Sequence, residues 1–372
     1  MKTKPKIIAM YLPQFHQIPE NDEFWGKGFT DWVTVKKAKP LFEGHQQPKI
    51  PLNKNYYDLS LKENVAWQAR LAKDYGIDGF GIYHYWFNNE KNILTKPAEI
   101  ILENKEIDID FFFAWDNNNW KRSWSNVEGN DWAPVLDNDK GSGPTILIPY
   151  ILGEQEDWII HYNAVRKYFL DSRYIKKDNK PLFIIFSYDE RIAKMCACWD
   201  KLAQNDGFNG IFFIFRYEQR FSIPEEYYKF TYEPGFSGVN IPPKIHIKVI
   251  NKLRRFLGMS QSLRKMSYEE VWDNIISNAK RLDRPEYFHG GFVSYDDTPR
   301  RGCSGTVIKG CTADKFKRYL SQLIKISEEQ GKEFVFIIAW NEWGEGACLE
   351  PSESDGFSYL DICRQLKEEN RE

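Results

Sequence analysis

Short runs of β-branched and aromatic residues recur along the 372-residue chain, separated by longer stretches with helical spacing of their apolar positions. The runs predict buried strands at Ile7–Leu12, Gly79–Tyr85, Phe111–Trp115, Leu182–Phe186, Ile211–Phe215, Phe230–Glu233, Gly290–Ser294 and Phe334–Ala339. Helices fit between them at Leu61–Tyr75, Pro97–Asn104, Trp158–Leu170, Arg191–Gln204, Tyr268–Arg281 and Ala313–Gln330, with Tyr359–Lys367 closing the set. Strands that are apolar nearly throughout and alternate with helices suit a (β/α)8 barrel, whose strands are buried on both faces. The expected fold class is therefore α/β, a (β/α)8 TIM barrel spanning residues 1–372 as one domain with decorated loops. A doubly wound sheet is the alternative, but the first strand runs into Pro13-Gln14-Phe15 and not into a glycine fingerprint.

The strand exits carry the chemistry. They read Tyr11-Leu12-Pro13-Gln14, Tyr83-His84-Tyr85-Trp86, Trp115-Asp116-Asn117, Ser187-Tyr188, Arg216-Tyr217, Tyr232-Glu233, Tyr295-Asp296-Asp297 and Trp340-Asn341-Glu342-Trp343. In a barrel these exits share the C-terminal mouth, where active sites of this fold are built. Aromatic platforms mixed with amides, carboxylates and arginine suit a sugar, which offers apolar C–H faces and a ring of hydroxyls. The expected substrate-binding residues are therefore Tyr11, Gln14, Tyr83, His84, Trp86, Trp115, Asp116, Asn117, Tyr188, Arg216, Glu233, Tyr295, Asp296, Asp297, Trp340, Asn341 and Trp343. The competing reading is that these aromatics cap the core, that Asp296, Asp297 and Arg300 form an internal clamp, and that His84 is a satisfied barrel-top histidine.

Composition sharpens this expectation. Thirteen Trp, 20 Tyr and 26 Phe make the chain 16% aromatic, while 51 basic against 53 acidic residues leave a formal charge of −2. A near-neutral chain is not a whole-surface nucleic-acid binder, so no nucleic-acid partner is expected. Six cysteines lack paired zinc-knuckle spacing, and His16, His84 and His289 are scattered, so neither metal nor cofactor is expected. The apolar run Ile7–Met10 is too short for a signal-peptide core, which makes a cytoplasmic location the expectation.

The sharpest local signal is Trp340-Asn341-Glu342-Trp343-Gly344-Glu345-Gly346, directly after an apolar run. Side chains three apart in a turn lie roughly 5–6 Å from one another. Retaining glycosyl transfer wants its two carboxyls about 5–5.5 Å apart. Glu342 and Glu345 are thus the candidate catalytic pair, with Glu342 as a possible direct nucleophile. A structural reading, in which Glu342 pairs with Lys332 or Arg300 and Glu345 caps a loop, stands beside it.

Four motifs carry a family resemblance. Ala9-Met10-Tyr11-Leu12-Pro13-Gln14-Phe15-His16, Phe24-Trp25-Gly26-Lys27-Gly28-Phe29-Thr30-Asp31-Trp32, Gly79-Phe80-Gly81-Ile82-Tyr83-His84-Tyr85-Trp86-Phe87 and the Trp340–Gly346 segment resemble the WbsX-type glycosyltransferases of bacterial surface-polysaccharide clusters. That family is in turn similar to glycoside hydrolase family 99, the endo-α-mannosidases. The resemblance implies a metal-free barrel and retention by an unusual route. The residue matching Glu342 deprotonates the sugar 2-hydroxyl, which closes on the anomeric carbon to give a 1,2-anhydro sugar. The residue matching Glu345 then serves as acid and base. Gly344 stands where the hydrolases usually carry His.

Transferase, hydrolase and non-catalytic carbohydrate-binding barrel all fit these residues. The expected signal for export is missing, which favours biosynthetic transfer to an oligosaccharide or lipid-linked glycan. Basic residues interleave with apolar ones over Lys244–Lys265, including Arg254 and Arg255, a pattern compatible with peripheral contact with the inner face of the cell membrane.

Overall fold

The computed structural model describes residues 4–121, 146–218, 222–238, 241 and 263–369. Eight parallel strands form a closed barrel: β1 (Lys6–Tyr11), β2 (Gly79–Asn88), β3 (Asp110–Trp115), β4 (Lys180–Ile185), β5 (Phe212–Arg216), β6 (Tyr228–Phe230), β7 (Tyr287–Phe292) and β8 (Phe334–Ile338). Each pairs with its neighbour in sequence, and β1 closes the ring through Ile8 opposite Gly79 on one side and Ile7 opposite Val335 on the other. This is a (β/α)8 TIM barrel.

Helices α1 (Lys62–Asp74), α2 (Lys96–Glu103), α3 (Gln155–Phe169), α4 (Glu190–Asn205), α5 (Tyr268–Arg281), α6 (Ala313–Glu329) and α7 (Ser358–Glu368) lie within a few residues of their predicted positions. Capping explains several starts: Asp189 accepts from the Ile192 amide at α4, Ser267 from Glu270 at α5 and Thr312 from Lys315 at α6. Among the described residues, no helix links β5 to β6. None of the described helices is long and apolar enough to cross a membrane.

Several strands begin earlier than their apolar runs suggest, and in two of them a buried polar residue is the reason. Strand β6 starts at Tyr228 because Lys229 is accommodated inside, its Nζ donating to the carbonyls of Pro224 and Tyr227 at 2.8 Å each. Strand β7 starts at Tyr287 and includes His289, whose ring meets Gln330 Oε1 at 2.7 Å. Polar residues whose hydrogen bonds are satisfied inside the protein are thus hidden in strands that periodicity truncates.

Phenyl groups fill the barrel axis, with Phe336 packed 5.1 Å from Phe230 and 6.2 Å from Phe112 between ring centres. Gly81 makes room for this layer, since a Cβ there would stand 2.7 Å from Met10 Sδ and 2.8 Å from Phe112 Cζ.

Candidate functional site

The last strand delivers the glutamate pair. After β8, Asn341-Glu342 pairs antiparallel with Ala347-Cys348, and the turn Trp343–Glu345 between them folds back over the mouth. Asn341 pins this segment to the end of β1, accepting from the Leu12 amide at 2.7 Å and donating to the Leu12 carbonyl at 2.9 Å. Glu342 is consequently buried, whereas the Glu345 side chain keeps 26% of its surface exposed.

Both carboxylates converge on Arg300. Its Nη1 donates to Glu345 Oε1 at 2.8 Å and its Nη2 to Glu342 Oε2 at 3.3 Å. Asp31 completes the shell, accepting from Arg300 Nε at 3.2 Å, from Nη2 at 3.1 Å and from the Gly344 amide at 3.1 Å. Burial of the guanidinium disfavours its charge, but Asp31, Glu342 and Glu345 together outweigh this and hold it firmly protonated. Burial, reinforced by the charge of Glu345, pushes the Glu342 carboxyl up to about 8 against the pull of Arg300. The pair therefore combines a carboxyl that retains a proton near neutrality with a more exposed neighbour on the same guanidinium.

The inward positions of neighbouring strands surround the pair. Tyr83 and Tyr232 share a hydroxyl contact of 2.6 Å. Burial, with Glu342 nearby, raises both of them and Tyr85 well above the ordinary phenol range. Tyr295 stands near Glu345, and its hydroxyl reaches Asp297 at 3.4 Å. Burial also raises Asp116, opposed by its Asn118 hydrogen bond and by Arg216. Arg216 lies over the Phe186 ring at 4.9 Å and pairs with Glu218. Tyr188, by contrast, is half-buried and edge-on to Phe215, on the face of β5 that packs against α4 through Phe213 and Trp199. Gln14 is buried beside this shell, its backbone carbonyl accepting from the Asp31 amide at 3.2 Å.

Several expected sugar contacts face elsewhere. Strand side chains alternate, so with Gly81, Tyr83 and Tyr85 inward, His84 and Trp86 point outward to the helices. There His84 Nε2 meets His161 Nε2 of α3 at 2.9 Å, and Trp86 stacks on His161 at 4.4 Å. Burial lowers His84 to about 3, so it is a neutral core residue. Trp115 joins the same outward cluster, edge-on to His161 and donating from Nε1 to the Trp86 carbonyl at 2.9 Å.

Tyr11, Trp340, Asn341 and Trp343 are likewise walls and not rim, each 1% exposed or less. Tyr11 donates to Gln68 Oε1 at 2.6 Å. Glu350 then gathers Gln68 Nε2 (2.7 Å), Tyr57 Oη (2.7 Å) and Trp343 Nε1 (2.6 Å) into one buried network. Asn117 spends both ends of its amide on the Ser187 backbone. Glu233 is fully buried on Ser237. Asp296 ties His45, Gln47 and Thr298 together, and Asp297 holds the Thr306 amide and Arg301. These carboxylates brace the loops of the mouth.

Asp31, Tyr85 and Tyr232 were not among the expected contacts. Alternation along β2 puts Tyr85 on the same face as Gly81 and Tyr83, but no local signal relates Asp31 to Arg300. Among the described residues, no three His, Cys, Asp or Glu side chains are grouped to hold a metal ion. The basic stretch lies outside the described residues as far as residue 262. Of its end, Arg264 donates to the carbonyls of Gly238 and Ile241, and Lys265 sits 3.7 Å over the Phe42 ring.

Comparison with known proteins bears on this site. The family model described as Glycosyltransferase WbsX matches residues 7–363. Two relatives from strains of Xanthomonas campestris pv. campestris, both described as uncharacterized protein WxcX, are 30% identical over 368 and 369 residues. Each alignment covers 96% of this chain and 49% of the relative, so the chain spans about half the length of the curated relatives it matches. Among solved structures, the GH99 endo-alpha-mannosidase from Bacteroides thetaiotaomicron is similar with a TM-score of 0.54 and 14% identity, covering 98% of this chain and 97% of that one. A glycoside hydrolase-like protein reaches 0.58 at 12% identity, covering 98% and 94%. At these identities the likeness concerns the fold.

Proposed function

Because the chain belongs to the WbsX glycosyltransferase family, we propose that it transfers a glycosyl unit with retention to a growing surface-polysaccharide glycan, with Glu342 and Glu345 as the reacting pair. The observation that carries this reading is the convergence of both carboxylates on one guanidinium in the barrel mouth. Bonds of 2.8 and 3.3 Å to two nitrogens of one guanidinium hold the carboxylates as neighbours, and retention calls for such a close pair, about 5–5.5 Å apart.

In the proposed reaction Glu342 takes the proton of the donor's 2-hydroxyl as that oxygen closes on the anomeric carbon. Glu345 gives a proton to the departing oxygen. In the second half, Glu345 removes the proton of the acceptor hydroxyl, which opens the anhydro ring, and Glu342 returns its proton to the 2-oxygen. For the first step Glu342 must pass on the proton that burial leaves on it, and Glu345, more exposed and on the same guanidinium, is the carboxylate that receives it. Arg300 offsets the negative charge that remains. A lipid-linked acceptor brought near by the basic stretch in the cytoplasm belongs to the same proposal.

Endo-acting retaining hydrolysis is the second reading, favoured by the fold likeness to an endo-alpha-mannosidase. The same two carboxylates serve either reaction, since only the attacking hydroxyl differs. Incubation with mannan oligosaccharides, with and without sugar nucleotide and lipid-linked acceptor, followed by mass analysis, separates them. Transfer products support the first reading and shortened glycans the second. Full activity of Glu345→Gln, or binding without turnover by the wild type, would overturn the assignment of the pair.

A further inference from the structure

A small hollow opens beside Glu345, between the exits of β6, β7 and β8, with Tyr232 and Tyr295 on its border. Its volume of about 210 Å3 is below the roughly 300–1,000 Å3 of sites that enclose drug-sized ligands. It has room for one sugar unit.

The inner wall of this hollow is mostly apolar, formed by Pro234, Met266, Ile308 and Ile338, with Thr306 beside them. Its charged neighbours are already engaged within the protein. Glu233 accepts from the Ser237 amide at 2.9 Å and hydroxyl at 2.7 Å, and Arg264 directs Nη2 to the carbonyls of Gly238 and Ile241 at 2.9 and 3.0 Å. A sugar hydroxyl pressed against Met266, Ile308 and Ile338 would give up water and meet no partner among them. A methyl group would gain burial at the same place.

From this we infer that the hollow selects a 6-deoxyhexose, seating its C6 methyl against Met266, Ile308 and Ile338. C6 is the one pyranose carbon outside the ring, so it reaches deepest while the ring hydroxyls stay beside Glu345 and the tyrosines. The inference rests on the proposed reading of the mouth as a glycan site and adds the substrate class. Discrimination at an apolar contact of this kind is worth roughly 10–100-fold.

Saturation-transfer NMR titrations of the wild-type protein test it, using methyl glycosides paired to differ only at C6: α-D-mannoside with α-D-rhamnoside, and α-L-galactoside with α-L-fucoside. The 6-deoxy member of at least one pair should bind about 10–100-fold tighter, with the strongest transfer at its methyl group. Met266→Gln, which adds an amide to the wall, should narrow the ratio about tenfold or more, and Ile308→Thr should do the same if the first variant does not fold. Equal or tighter binding of the hydroxymethyl sugars would overturn the inference and leave the glycan reading standing. A ratio untouched by a folded variant would also overturn it, and no binding by any glycoside would overturn both.

Discussion

Asp31 meets Arg300 side-on, Oδ1 to Nε at 3.2 Å and Oδ2 to Nη2 at 3.1 Å, across 269 positions of sequence. Both side chains are buried, and the contact fixes the plane of the guanidinium that Glu342 and Glu345 share. Arg300 is therefore the hub of the mouth, and its removal would leave Asp31, Glu342 and Glu345 facing one another without a cation. Arg300→Ala should cost about 3–5 kcal/mol of stability, as expected when one partner of a buried ion pair is lost. Urea denaturation reads this directly, and an unchanged midpoint would contradict the hub role.

Gly344 follows from the same contact. A Cβ at this position would stand 2.6 Å from both Arg300 Nε and Asp31 Oδ2, so no larger side chain, histidine included, fits while the pair is intact. Gly344→Ala should therefore displace Arg300 and destabilise the protein by about 1–3 kcal/mol. Turnover should fall with it. A variant that melts and reacts like the wild type would show that the pair yields at little cost.

The Tyr83 and Tyr232 hydroxyls offer a different signature. Their mutual hydrogen bond lies beside Glu342, where either can donate to a substrate oxygen or to the carboxylate. Tyr83→Phe should lower kcat/KM by roughly 10–100-fold, the range for losing a hydrogen bond to a charged group, with little change in melting temperature. Trp86→Phe, on the outward face, should show the reverse: lost stability with kcat/KM nearly kept. Comparable losses of kcat/KM in both variants would contradict this division of faces.

Stability should form a plateau in pH. Burial raises Asp297 to about 6, Glu233 and Glu350 to about 7 and Glu342 to about 8, each above its ordinary value. Their contributions are complete below the ordinary carboxylate range, about 4, and are lost as pH rises through 6 to 8. Buried histidines act oppositely: His84 at about 3 and His289 at about 4, with His16 and His161 also lowered. Their contributions are complete above about 6.5 and are lost as pH falls through these depressed values. The two sets nearly cancel between about pH 4.5 and 6.5 and leave a falling limb on each side. Denaturation midpoints across pH check this. Glu350→Gln should remove a fall on the order of 3 kcal/mol between about pH 4.5 and 7, so that the plateau tilts upward with pH, whatever it does to the absolute level.

How much of this was legible beforehand varies with the range of the interaction. The strand run Phe334–Ile338 and the helix Tyr268–Arg281 are local patterns, and apolar periodicity alone predicts them closely. Lys229 and His289 were not legible as strand residues, because their burial depends on the carbonyls of Pro224 and Tyr227 and on Gln330. The aromatic excess had a clear destination at the strand ends, but much of it, including Trp115, Trp340 and Trp343, fills the core instead.

The sequence by itself determined the (β/α)8 architecture and delivered two glutamates to the end of the last strand, since periodicity and three-residue spacing are properties of neighbouring residues. Only the tertiary structure decided which aromatic faces the mouth and what surrounds the pair. Alternation along β2 permits either face to turn inward, and the packing of Gly81 against Phe112 selects the one that carries Tyr83 and Tyr85. The guanidinium between the glutamates comes from a one-turn helix, Thr298–Arg301, after β7 and its anchor from a short helix, Asp31–Lys37, after β1. Barrel closure supplies that meeting, because it brings β1 and β7 to opposite sides of β8.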